Sequence, residues 1–165
     1  MSRSPHPVTL LVGWAGTAGA RLHPLLDAGT LPHLAGIVGE GSSGPLFGVT
    51  PLDAAPLWTS VATGTRAFHH GVLANAEPDP ATGEPRPATA AGRRVPSVWE
   101  RFSAAGRCAH AVGWPGSHPA PAGGLGHGGV VVSEGFPKPA APPGPEPWPL
   151  GRGMVSEPEL AVNAP

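Results

Sequence analysis

The chain has 165 residues, among them 25 glycines and 24 prolines, the two residues that most disfavour helix and strand interiors, yet 40% of its residues are apolar. Uniform disorder is excluded, and the expectation is one domain with a small core and marginal stability. A net charge of −1 with 13% charged residues leaves no basic field for a nucleic-acid backbone and no polybasic patch for a membrane surface. Cys108, the single cysteine, has no partner for an internal disulfide, and no signal peptide or membrane span is recognisable near the N-terminus, so a soluble protein of the reducing cytoplasm is expected.

In chain order, Val8 to Val12 is a continuous apolar run ending at Gly13 and reads as a strand buried on both faces. RLHPLLDAG follows as a helix with Leu22, Leu25 and Leu26 on one face, Pro24 in its first turn and Gly29 as its stop. Pro32 opens a second helix carrying Leu34, Ile37 and Val38. Gly44 to Val49 suggests a short strand. TPLDAAPLWTSVATG then predicts a helix with Leu57, Trp58, Val61 and Ala62 on its apolar face and Gly64 just beyond its end. Ala76 to Arg94 has no period and reads as a surface loop. Ser97 caps a helix over VWERFSAAG with Gly106 at C′, followed by a strand from Cys108 to Gly113 and a last one at Val130 to Val132. Alternation of helix and strand favours an α/β fold with a parallel sheet. Residues 136–165 form a Pro-rich segment over the surface, distinct from an α/β domain at 1–135.

The order of VTLLVGWAG, LLDAGTLPHLAGIVGEG, TPLDAAPLWTSVATGTRAFHHGVL, EPDPATG, RRVPSVWERFSAAG, AVGWPGSHPA and VVVSEGFPKP resembles the first half of the alkaline-phosphatase superfamily. It is most similar to the type I phosphodiesterase/nucleotide pyrophosphatase branch. The resemblance implies a partial parallel-sheet α/β core, hydrolysis of phosphate esters and two divalent metal ions, usually zinc. The chemistry implied is in-line attack by a metal-bound Ser or Thr. In the family an Asp in a G-x-D-G turn after the first strand is a metal ligand. The matching turn here is Gly13-Trp14-Ala15-Gly16, and Ala15 has no lone pair to offer. The family's nucleophile lies nine residues before the Thr of a T-G pair; back from Thr63-Gly64 that position is Ala54. The remaining ligands belong to a second half that the 165 residues do not reach.

Among individual residues, Asp53 is a weak substitute for the nucleophile set against a solvated turn carboxylate or helix N-terminal acid. Thr50, Thr59 and Ser60 read as capping and helix-surface hydroxyls. His70-Gly71 matches the family's H-G pair, with a structural role favoured over a ligand role, and adjacent His69 and His70 are not expected to share a metal. Gly13, Gly16 and Gly19 form a GxxGxxG pattern that differs from nucleotide-cradling loops. Cys108 reads as a small core hydrophobe, Trp58, Trp99 and Trp114 as anchoring aromatics, and Trp148 as a contact residue. Three functions compete. The first is a truncated, inactive relative of the phosphodiesterases with no cofactor of its own. The second is an esterase completed by a second chain across an exposed sheet edge. The third is an interaction module using the Pro-rich segment.

Overall fold

The computed structural model describes residues 8–48, 52–135 and 155–156. The chain divides into two compact units, Met1–Phe47 and Gly48–Pro165. The first carries helix α1 (Gly19–Asp27) and helix α2 (Pro32–Glu40), neither with a buried residue. Pro32 stands at the head of α2, where its missing N–H costs nothing. Pro24 lies inside α1, against the expectation of a first-turn position, because the helix begins earlier, at Gly19. The expected strand at Val8–Val12 is absent: Val8 is 92% and Leu10 84% exposed, and the run makes no backbone hydrogen bond among the described residues. An apolar run becomes a strand only when a ladder partner satisfies its backbone, and the described residues of this unit supply none. No strand forms over residues 44–48 either, while Val49 lies outside the described residues.

In the second unit, helix α3 (Ala54–Thr63) ends where Gly64 adopts φ 68° and its N–H returns to the Ser60 carbonyl. A short helix α4 (Ala67–His70) follows. The expected surface loop holds a small antiparallel hairpin, β1 (Ala76–Pro78) with β2 (Pro85–Pro87), closed by Arg86 on Glu77 and Asp79, and then a 3₁₀ turn at Ala90–Gly92. Helix α5 (Val98–Ala104) starts at Ser97, whose N–H donates to Glu100 Oε2 at 2.6 Å, the reach-back half of a capping box. Gly106 takes a positive φ just past its end.

Strand β3 (Ala111–Trp114) pairs in parallel with β4 (Val131–Ser133), Ala111 opposite Val131 and Val112 opposite Val132. This parallel pair, flanked by helices, gives the chain its α/β class. The strand expected to begin at Cys108 starts three residues later, at Ala111, and Cys108 is exposed rather than in the core. Of the Pro-rich segment, Val155 and Ser156 are described: Val155 bridges Val132, and Ser156 exchanges hydrogen bonds with Val131 at 2.8 and 2.9 Å. Trp148 lies outside the described residues.

The core gathers Ala62 from α3, Trp99 from α5, Ala111 and Trp114 from β3, Val131 from β4 and Ala120 from the intervening loop. The face of α3 turned inward is Pro56, Thr59, Ala62 and Thr63, rotated from the expected Leu57/Val61 stripe, and Val61 is 39% exposed. Thr63 is accommodated on that face because its Oγ1 donates to the Thr59 carbonyl at 2.7 Å, which satisfies its hydroxyl inside the helix, whereas the Thr59 hydroxyl gains no such bond. No helix among the described residues is long and apolar enough to cross a membrane.

Gly116, at φ +79°, packs so closely on α3 that a Cβ there would lie 2.8 Å from Thr59 Oγ1, itself a buried hydroxyl without a hydrogen-bond partner. Gly116→Ala is expected to lower stability by roughly 1–3 kcal/mol through backbone strain and overpacking together. Thermal unfolding monitored by circular dichroism checks this.

Candidate functional site

The head of α3 is the one place where the implied chemistry has a local frame. Asp53 is the N-cap residue, in extended conformation, and its carboxylate makes no capping bond. Asn75 supplies the cap instead: its Oδ1 accepts the Ala55 N–H at 2.8 Å, and its Nδ2 donates to Asp53 Oδ1 at 3.4 Å. Pro56 has no N–H, and Leu57 N–H already donates to the Asp53 carbonyl at 3.1 Å. Ala54 therefore keeps the single unspent amide in the first turn, beside a methyl side chain. One amide beside a carboxylate is a poor seat for a phosphate, which helix N-termini hold with several convergent N–H groups.

Asn75 was not legible as a site residue. It lies 20 residues after Ala55, in a stretch whose composition reads as loop, and no spacing signals the contact.

His70 is wholly buried. Its Nδ1 accepts the Val72 N–H at 3.2 Å, which fixes the neutral tautomer with the proton on Nε2. That Nε2–H lies 3.0 Å from Ser60 Oγ, and Ser60 passes its own hydroxyl proton to the Pro56 carbonyl at 2.8 Å. The relay runs from His70 to Ser60 to the helix backbone. A catalytic pair needs the opposite polarity, with imidazole accepting from the hydroxyl. Ser60 is thus partly buried and tied down, not a free surface hydroxyl. His69 diverges from its neighbour, exposed and packed on Phe68 at 4.3 Å between ring centroids. Gly71, at φ +85°, lies under the aliphatic stem of Arg94, whose N–H donates to the His70 carbonyl at 2.9 Å.

Thr63 and Gly64 close α3: Thr63 Oγ1 is 3.0 Å from Thr65 Oγ1. Thr59, expected on the helix surface, is 2% exposed, because the inward face of α3 includes it. Thr50 lies outside the described residues. Gly13, Ala15 and Gly16 belong to the other unit, where Ala15 and Gly16 form a turn ahead of α1 with Gly16 at φ 75°. Trp14 beside them is 63% exposed.

The residues at these positions do not fit a pair of divalent cations. Such ions demand several Asp, His or comparable donors each. Among the described residues no three His, Cys, Asp or Glu side chains converge, and Asp53 at the head of α3 is engaged with an amide.

A helix-flanked parallel pair, with a helix head and an H-G turn in fixed order along the chain, defines a partial α/β domain of the alkaline-phosphatase kind. A sequence model of the type I phosphodiesterase/nucleotide pyrophosphatase family matches residues 14–144, and the chain belongs to that family. Comparisons with curated proteins and with solved structures return no match.

Burial holds the His70 pKa below its ordinary 6.5; the Pro56 carbonyl opposes this and the positive charge of Arg93 adds to it. The unfolded chain therefore takes up a proton that the folded chain resists. The His70 contribution to stability is complete above about pH 6.5 and is lost as pH falls below that value, at no more than about 1.4 kcal/mol per pH unit. Urea midpoints measured from pH 8 down to pH 5 are expected to fall along this limb, and His70→Gln is expected to flatten it.

Proposed function

We propose that this chain is a non-catalytic member of the phosphodiesterase family, a scaffold without the chemistry. The observation that carries the reading is Ala54: a methyl group at the position the family resemblance assigns to the nucleophile, on a helix head with one unspent amide. Ala15 adds the loss of the first-strand ligand. Both substitutions stand whatever chain follows Pro165, so the reading does not depend on truncation. Asp53 does not replace the lost oxygen, since it is the N-cap residue and its carboxylate accepts from Asn75.

Its action is then binding, and a lone free Cys108 is compatible with a reducing cytoplasm. A partner of protein nature fits β3, whose one strand neighbour among the described residues is β4 and whose Val112 is 74% exposed. The outer side of β4 is taken by Val155. An open strand edge is a template for backbone pairing with another chain. In this reading residues 1–135 form the family domain and 136–165 a Pro-rich segment tied to β4 through Val155 and Ser156.

The test is hydrolysis of bis(p-nitrophenyl) phosphate and p-nitrophenyl phosphate with added zinc or manganese, together with intact-mass analysis after incubation with each ester. No turnover above the metal-only blank and no phosphorylated chain are expected. A phosphate adduct on Asp53, Thr50 or Thr59 would establish a substitute nucleophile and overturn the reading.

A further inference from the structure

Within residues 90–131 the structure forms an open cavity of about 620 Å³, broadly accessible to solvent, that the family chemistry does not account for. It lies between the 3₁₀ turn, the first turn of α5 and the loop after β3. Its walls are mostly apolar, including Ala91, Pro119, Pro121 and the indole of Trp99, and its polar lining comes from Arg93, Glu100 and Ser117. The volume is that of a site for a drug-sized organic molecule.

The hydrogen-bond capacity of those three residues is unequally spent. Glu100 is nearly saturated: Oε2 accepts the Ser97 N–H at 2.6 Å and the Ser97 hydroxyl at 2.8 Å, and Oε1 accepts Arg93 Nη2 at 2.6 Å. The Arg93 side chain is only 7% exposed, yet this is the single hydrogen bond it makes, out of five N–H donors. Its remaining N–H groups are not among the sealed, unpartnered atoms of the described residues, and Arg93 is one of the residues that line the cavity. The guanidinium is steadied by Trp99, whose ring centroid lies 5.9 Å away. Ser117 Oγ accepts the Glu134 N–H at 3.3 Å and the Ser117 N–H donates to Glu134 Oε2 at 3.2 Å, while among the described residues its hydroxyl proton has no acceptor. The cavity therefore presents surplus donors, one of them cationic, over apolar walls.

We infer that this cavity is a binding site for a small organic carboxylate with an aromatic or aliphatic body, its carboxylate on Arg93 and Ser117 and its body against Trp99 and the proline walls. The carboxylate supplies the acceptors that the site lacks, through charge-assisted bonds to a guanidinium held in place by Glu100. A cation finds little spare acceptor capacity there. A neutral apolar molecule leaves the donors unmet. The inference is independent of whether the chain hydrolyses phosphate esters.

Calorimetric titration of the full chain tests it with three probes: 2-naphthoate, the neutral 2-naphthalenemethanol and acetate. Saturable one-to-one binding of 2-naphthoate is expected, with the alcohol and acetate each at least about tenfold weaker. Arg93→Gln should abolish the preference for acid over alcohol. Because that change also breaks the ion pair with Glu100, a second variant acts on the exposed wall: Ala122→Phe fills the cavity and should weaken 2-naphthoate by at least about tenfold at an unchanged melting temperature. Ala91→Leu serves the same purpose if Ala122→Phe unfolds the chain. Equal affinity for acid and alcohol, absence of saturable binding, or binding undiminished by a folded wall variant would each overturn the inference.

Discussion

The indole of Trp114 stands edge-on to Trp58 of α3, 5.2 Å between centroids, and to Trp99 of α5 at 5.9 Å, while its Nε1–H is spent on the Trp58 carbonyl at 3.0 Å. One side chain of β3 thereby fixes two helices to the parallel pair. Edge-to-face rings contribute about 0.5–1.5 kcal/mol per pair beyond the apolar area they bury. The rest of the core consists of small residues, Ala62, Ala111 and Ala120 with Val131, that let these elements approach closely.

That clamp explains how the helix bearing Ala54 keeps its frame. Trp58 lies one turn beyond Ala54, and Ser60, two residues further on, is bound by His70. The hydrogen bonds around the head of α3 run inward: Asn75 caps the amide of Ala55, and His70 donates toward the helix. The arrangement satisfies its own donors and leaves little for a phosphate. The surplus of donors lies elsewhere, at Arg93, where a nearly buried guanidinium meets a glutamate already occupied with capping α5.

Helix ends were the most legible part of the sequence, because they depend on local chemistry. Pro32 at the head of α2, Gly64 after α3 and the Ser97/Glu100 start of α5 fall where the residues call for them. The parallel pair was legible from the Val130–Val132 run and the alternation of helix and strand, though β3 begins later than the expected start at Cys108. Val8–Val12 misled for a physical reason: hydrophobicity records a readiness to be buried, whereas a strand requires a neighbour, and the sequence does not say where that neighbour is. The positions of Ala15 and Ala54 came from motif order, whereas the Asn75 cap, the inward rotation of Thr59 and the Arg93 cavity arise from contacts between distant segments that no local pattern encodes. Cys108 shows the same limit, a residue type usually buried that stands exposed 3.3 Å from His110.

One unit is assembled around Trp114, while the N-terminal run Val8–Val12 is exposed. Native-state hydrogen exchange resolved by residue measures this directly, including the Trp114 indole proton. The expected result is slow, concerted exchange of that indole with the amides of Val131 and of the second half of α3, and rapid exchange throughout Val8–Val12. Exchange of the Trp114 indole at the rate of an exposed side chain, or protection of Val8–Val12 equal to that of β4, would contradict it.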